Sequence, residues 1–321
     1  MLKLKMRNLI NITQKIINKL YITLYRFINN KIESILYSKE FIQKFDRIKF
    51  FPQETRKISI AITHYERPEL VVVTLKNIFR DERVSEIVIL DDGSSLTSVF
   101  ECIANLKDFK AKVKLFRRKE NLGMLATKIQ ACSLCSNPWC ILLDSDNTIF
   151  NSYLNAIFSL ETWDKNIIYC PGYAFPNYDF RSYGNTEFDF EKICNFQNKN
   201  KILNNFIFSC FISGGNYFLN VKAFTNILNP YIKFKLYAAD QIFANYIWLS
   251  NGNKLKLLPS ASYYHRVHSN STWILNSNRG HVEYNRVAKK FEEEQPATLE
   301  NLLLEFENVA AIGQEIEHIP L

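Results

Sequence analysis

Trp139-Cys140-Ile141-Leu142-Leu143-Asp144-Ser145-Asp146-Asn147 is an apolar run that stops abruptly at two aspartates one residue apart. The run has the length of a buried parallel strand, and its tip is acidic. If the strand continues through both aspartates, alternate side chains point the same way, and Asp144 and Asp146 face one point. Two converging carboxylates suit a hard divalent cation with oxygen ligands, and such a cation suits a diphosphate. Taken alone, the pair is equally well accounted for by a turn or a helix N-cap after a strand. The rest of the chain has to decide.

Upstream, the same pattern of apolar run and polar tip repeats. Ile58–Ile62 is short and rich in β-branched residues, and leads to Thr63-His64-Tyr65-Glu66-Arg67-Pro68, with Pro68 suited to the first turn of a helix. That helix carries Leu70, Val73, Thr74 and Ile78. Glu86–Leu90 is a second strand, ending in Asp91-Asp92-Gly93-Ser94-Ser95, followed by a helix with Val99, Cys102, Ile103 and Leu106. Val113–Phe116 is a third strand, and Asn121-Leu122-Gly123 opens a helix running through Ala131. Strand–helix alternation at this rhythm predicts a parallel, doubly wound α/β sheet. Ligands of such sheets sit outside the carboxyl ends of the strands. Three polar clusters, Thr63–Tyr65, Asp91–Ser95 and Asp144–Asp146, fall there, which favours a binding crevice over ordinary loop chemistry.

The chain has 321 residues, 47% of them hydrophobic and 14% aromatic, enough for one large or two ordinary domains. Its formal charge of +8 is concentrated in residues 1–50, where eleven Lys and Arg face three Asp and Glu. There Leu9, Ile12, Ile16, Leu20, Leu24, Phe27 and Ile28 recur at helical spacing, which predicts a basic amphipathic helical segment. Two readings stand open: attachment to an anionic membrane surface, or a helix packed on the domain with a solvated basic face. Nucleic acid is not expected as a partner, because no stacking aromatics are interleaved with Gly or Arg. No run approaches the roughly 18 apolar residues of a membrane span, and no signal-peptide pattern opens the chain. A cytoplasmic protein is expected, peripheral on the inner face of the cytoplasmic membrane if the first reading holds. Cys132, Cys135 and Cys140 lack a second ligand pair at metal spacing and read as buried thiols.

From Lys57 to Trp273 the chain resembles a GT-A glycosyltransferase, most like glycosyltransferase family two. The features that carry the resemblance occur in order: Thr63-x-Tyr65, Asp91-Asp92-Gly93-Ser94, Asn121-x-Gly123, Asp144-x-Asp146, Ser213-Gly214-Gly215-Asn216, Asp240-Gln241 and the tail Tyr264-His265-Arg266-Val267-His268-Ser269-Asn270-Ser271. Two departures stand out. Ala239 replaces the usual Glu before Asp240, and Ala126-Thr127-Lys128 replaces Ala-Arg-Asn.

The resemblance implies a mostly parallel, Rossmann-like central sheet with helices on both faces. It would occupy residues 57–275, between a basic helical segment, 1–56, and a C-terminal helical tail, 276–321. It implies a sugar moved from a nucleoside-diphosphate sugar, a UDP-sugar by the acidic base contact, to a hydroxyl of a glycan or lipid-linked acceptor. Thr63, Tyr65, Asp91, Asp92, Lys128, Asp144 and Ser145 would bind the donor, with Tyr65 stacked on the base and Asp92 accepting from uracil. Asp144 would contact the ribose or the metal. Asp144, Asp146 and His268 would hold Mn2+ or Mg2+, with His265 a competitor for the histidine position. Gly214, Gly215 and Asn216 would form the acceptor side. Asp240 would be the general base, and a single base opposite the leaving group implies inversion; its plain alternative is a helix N-cap. A sugar-phosphate nucleotidyltransferase is the enzymatic alternative, but Thr63–Pro68 lacks the Gly-rich, Arg-containing loop of that class. An inactive glycan- or membrane-binding module on the same fold is the non-enzymatic one.

Overall fold

The structure, a computed structural model, describes residues 55–76, 78–95, 99–103, 112–199, 205–268, 271–308 and 315–320. The basic segment 1–50 lies outside the described residues. Three βα steps and a fourth strand build the first half. They are β1 (Ile58–His64) and α1 (Pro68–Lys76), β2 (Val84–Asp91) and α2 (Val99–Ile103), β3 (Val113–Arg117) and α3 (Met124–Ser133), then β4 (Trp139–Asp144). Every residue of β1 is buried, and in β2 only Ser85 is exposed, as the apolar runs require of strands covered on both faces. The four strands are parallel in the order β3-β2-β1-β4. Register aligns their polar tips: Thr63 pairs with Asp144, and His64 with Asp91.

The second half is mixed. β5 (Thr148–Ile149) and α4 (Asn151–Phe158) lead to β6 (Ile167–Phe175), the short β7 (Tyr178–Asp179) and β8 (Glu187–Phe188), then α5 (Phe190–Lys199) and α6 (Asn205–Ile212). β9 (Phe218–Asn220) lies antiparallel between β4 and β6. After α7 (Val221–Leu228) and α8 (Asp240–Ser250), β10 (Lys254–Tyr264) runs parallel to β6 and antiparallel to β5. The β5 pairing brings the chain after Tyr264 beside the loop after Asp144. All of α8 from Asp240 to Leu249 is buried, so the helix lies within the core.

The tail is built onto the same body. α9 (Thr272–Leu275), α10 (Ser277–Glu292) and α11 (Leu299–Glu305) are followed by β11 (Glu317–Ile319), which pairs antiparallel with β3. Phe291 packs against Phe190 and Tyr246, and Phe306 stands edge-on to Phe243 at 5.1 Å. Three local expectations shift. The helix opened by Asn121 starts at Met124, because Gly123, at φ 92°, turns the chain and donates its N–H elsewhere. The helix-like run of sequence from Leu299 to Val309 gives a helix that stops at Glu305, because Phe306 turns into the core. Strand β4 ends at Asp144, and Ser145–Asp146 is a turn.

Candidate active site

The crevice is assembled at the aligned strand tips. Tyr65 is 37% exposed, one of few large hydrophobic side chains so open among the described residues. Its loop is tied to the loop after β2: Glu66 Oε1 accepts from Ser95 N at 2.5 Å and Oγ at 2.9 Å, and Glu66 N donates to Ser94 Oγ at 2.7 Å. Gly93, at φ +74°, completes that loop; a Cβ there would meet Glu120 C at 2.7 Å, which no side chain tolerates.

Both aspartates of the second cluster face inward. Asp91 Oδ1 accepts from Ser94 N and Oγ, and burial raises its pKa. Asp92 Oδ1 accepts from the Arg118 guanidinium and from Leu122 N, and Oδ2 accepts from Gly123 N at 3.0 Å. Its side chain is 1% exposed. Direct acceptance from a nucleobase is therefore replaced by a scaffolding task, which fixes the Asn121–Gly123 turn. Arg118, whose side chain is wholly buried, also reaches Thr127 and Gln130. Its place was not visible in the sequence: a second arginine after a strand reads as a solvated end.

The two aspartates of the third cluster part company. The turn at Ser145–Asp146 breaks the alternation that would have aimed both carboxylates at one point. Asp144 Oδ1 accepts from Thr63 Oγ1 at 3.3 Å and lies 3.5 Å from Lys128 Nζ. Burial raises the Asp144 pKa against the pull of Lys128. Ser145 is buried against His64, whose ring is held neutral by burial and the nearby Arg67 charge, with its pKa pushed down to about 3. Asp146 Oδ2 instead accepts from Arg67 Nη1 at 2.9 Å and lies 3.2 Å from His268 Nε2. Burial alone would raise the Asp146 pKa; the neighbouring His268 and the Arg67 charge outweigh it and hold the carboxyl below its ordinary value. Among the described residues no three Asp, Glu, His or Cys side chains converge as a metal-binding group. Of the three expected ligands, Asp146 and His268 lie side by side, and Asp144 stands apart with Lys128. His265, half-buried, is engaged by other partners, Nδ1 to Asn177 Nδ2 at 2.8 Å, with its ring against Tyr178. Its pKa is lowered to about 4 by burial.

Lys128 joins the remaining elements. Its ammonium is 2.7 Å from Asp240 Oδ2 and 3.3 Å from Gln241 Oε1, besides Asp144. Burial opposes its charge, but Asp144 and Asp240 prevail and raise its pKa. The N-cap of α8 is Ala239, which makes no side-chain capping bond, so Asp240 is not used as the cap. Ala238 before it has φ 120°, a strained conformation for a residue with a side chain, and Gly280 gives it room. A Cβ on Gly215 would stand 3.5 Å from Gln241 Oε1, 3.6 Å from Asp144 Oδ2 and 3.8 Å from Lys128 Nζ, so the glycine keeps open the space before these groups. Gly214 packs close to the end of α6. Asn216, at φ 62°, turns inward: Oδ1 accepts from Asp144 N at 3.0 Å, and its carbonyl accepts from Tyr153. It positions the Asp144 loop rather than facing an acceptor.

The seven cysteines are free thiols; Cys132 and Cys140 Sγ lie 3.7 Å apart in the core.

The sequence profile described as Glycosyl transferase family 2 matches residues 59–227. A relative from Mycoplasma pneumoniae, an uncharacterized glycosyltransferase called the MG060 homolog, is 27% identical over 112 residues. That match covers 32% of this chain and 36% of the relative, so the chain spans about a third of its length. GalNAc-T7, solved with UDP, GalNAc and Mn2+, superposes with a TM-score of 0.53 at 13% identity, over 78% of this chain and 54% of that one. Residues 1–349 of S. aureus TarS in complex with UDP give 0.51 at 15% identity, over 76% and 68%. The sheet and crevice, with a profile match across more than half of the sequence, place this chain in glycosyl transferase family 2, with the GT-A fold of the glycosyltransferases.

Proposed function

We propose that this protein is an inverting glycosyltransferase that moves a sugar from a nucleoside-diphosphate sugar, a UDP-sugar, to a hydroxyl of a glycan or lipid-linked acceptor. The observation that carries the reading is the Lys128 ammonium shared by Asp144 and Asp240 in front of the space that Gly215 keeps open. It sets a strand-tip carboxylate and an uncapping helix-start carboxylate at one small opening, beside a second cation-binding pair. The superposed GalNAc-T7 and TarS structures hold UDP, which supports the choice of nucleotide.

In this reading Tyr65 stacks on the base, and Thr63 and Asp144 meet the ribose. Lys128 meets the negative charge of the donor diphosphate. Asp146 and His268 fit a divalent cation, Mn2+ or Mg2+: a carboxylate oxygen and an imidazole nitrogen already enclose one cationic nitrogen, that of Arg67. When bound there, the ion supplies charge stabilisation for the departing diphosphate. Asp240 accepts the proton of the acceptor hydroxyl as its oxygen bonds to the anomeric carbon. The bond from that carbon to the phosphate oxygen breaks, and the leaving nucleoside diphosphate takes the electron pair. One displacement inverts the anomeric centre. The nucleotidyltransferase alternative lacks its phosphate loop, since only the three residues Tyr65, Glu66 and Arg67 separate β1 from α1.

Residues 1–50 are assigned, from their charge and apolar stripe alone, to attachment at an anionic membrane surface on the cytoplasmic side, where the free thiols are at home.

Asp240→Asn tests the reading. It keeps the size of the side chain and removes its basicity. UDP affinity by calorimetry is expected within a few-fold of wild type, and transfer to fall by about a hundredfold or more. Proton NMR of the first-formed product should show the inverted anomer. A retained anomer, or near wild-type transfer, removes Asp240 from the mechanism.

A further inference from the structure

Arg67 Nη1 donates to Asp146 Oδ2 at 2.9 Å and lies 3.0 Å from His268 Nε2, and those two atoms are themselves 3.2 Å apart. In the tautomer that lets Arg67 donate to both, Nε2 carries a lone pair. Two lone-pair atoms then stand in close contact because one cationic nitrogen faces both. A divalent ion bound by the same two atoms would sit about 2 Å from each, in the space the guanidinium fills. The two cations exclude one another there, by volume and by charge, and an arginine cannot shed its charge to make way.

Arg67 belongs to the loop between β1 and α1. Its Nε donates to the carbonyl of Tyr65 at 3.2 Å, and its side chain is 13% exposed. It therefore links the backbone of Tyr65 to the Asp146–His268 pair. A donor diphosphate entering beside this loop would offer the guanidinium a new anion and could draw it off the pair. Nothing but a side-chain rotation is required, because the backbone of the loop is tied separately through Glu66 to Ser94 and Ser95.

We propose that Arg67 is an internal counter-cation that holds the Asp146–His268 pair in the donor-free enzyme and passes to the donor diphosphate when the pair exchanges it for a divalent cation. The consequence is coupled binding. Nucleotide and metal each raise the affinity of the other, by the same factor, because each completes the displacement the other needs. Without nucleotide, the pair discriminates against free metal. The inference rests on the donor and metal reading above, and its test separates the two.

The test is binding of Mn2+ to the full chain, followed by the electron paramagnetic resonance signal of free Mn2+, with and without saturating UDP. Wild type is expected to bind Mn2+ at least tenfold more tightly with UDP. Arg67→Ala is expected to bind Mn2+ without UDP at least tenfold more tightly than wild type, and to gain correspondingly less from UDP. Arg67→Gln, which keeps most of the stem and an N–H donor but no charge, should behave the same way and serves if the alanine variant does not fold, as checked by circular dichroism. If the folded variants bind Mn2+ without UDP no better than wild type while UDP still promotes Mn2+ binding to wild type, Arg67 is a structural contact and the exchange is overturned alone. If no protein binds Mn2+ even with UDP, the metal reading falls and takes the exchange with it.

Discussion

Asp144 and Asp146 are two residues apart in sequence and answer to different cations, Lys128 and Arg67. Asp146→Asn should therefore abolish metal-dependent UDP binding, measured by calorimetry with Mn2+ and with a chelator, while the fold survives at this strand-end turn. A variant that gains as much UDP affinity from Mn2+ as wild type does, or a wild type whose UDP affinity is the same with Mn2+ and with chelator, would dismiss a metal at Asp146. Gly215 offers a steric test of the same small space. Its backbone is not in the left-handed region, and the contacts of an added methyl group are ordinary van der Waals distances, so Gly215→Ala should fold normally, with a melting temperature within about 2 °C of wild type. That methyl group would nevertheless stand among Asp144, Lys128 and Gln241, where reacting groups must meet, and transfer should fall by about tenfold or more. An alanine variant with full activity would move the reacting centre away from Gly215. A loss of activity matched by a loss of stability would mean the loop itself had shifted.

At the scale of elements, the row of polar tips depends on register, and Glu86 helps to hold it. Glu86 lies in β2, where its carboxylate accepts from Ser59 Oγ of β1, from Ser136 N and Oγ before β4, and from Lys114 Nζ of β3. Burial pushes its pKa up, but Lys114, Ser59 and Ser136 outweigh burial and bring it below its ordinary 4.5. A carboxylate with a lowered folded pKa stabilises fully above pH 4.5 and loses that contribution as pH falls through the folded value. Glu86→Gln should cost about 1–3 kcal/mol at pH 7 by urea unfolding, with one amide hydrogen facing a donor, and the difference should shrink below pH 4.5. A pH-independent difference would assign the loss to packing. The first half of the sheet was legible because long apolar runs, each with a polar tip, are what a buried parallel strand looks like in sequence. The second half was not: β5, β7, β8 and β9 are two or three residues long, too short for any periodicity, and β9 is placed by partners from distant parts of the chain. The same distance hid the site's charge pairs. Lys128 reads as a lone cation until α8, 112 residues on, brings Asp240 to it, and Asp92 reads as a ligand until a buried Arg118 claims it.

For the whole molecule, charge is distributed in two unequal parts. Residues 1–50 hold the entire formal excess of +8, so the remaining chain is formally neutral. Among the described residues no helix is long and apolar enough to cross a membrane. If residues 1–50 form the amphipathic helix that their spacing predicts, apolar burial and attraction of Lys and Arg to anionic lipid would act together, each basic residue near the surface contributing about 1 kcal/mol. The attraction is screened by salt, since the Debye length falls from about 10 Å at 0.1 M to about 3 Å at 1 M. The full chain should therefore sediment with vesicles rich in phosphatidylglycerol at low salt, much less at about 0.5 M salt, and hardly with vesicles of phosphatidylcholine alone. Replacing Lys3, Lys5, Arg7, Lys15 and Lys19 by Gln in the full chain should reduce partitioning at least about tenfold. UDP affinity should stay unchanged, because these positions precede the crevice-forming chain. The packed-helix reading makes the opposite forecast. If the basic face is only solvated and the apolar stripe is covered by the domain, vesicle composition will not matter and the Gln variant will lose no partitioning. An effect on thermal stability in place of vesicle binding would then assign residues 1–50 to the fold.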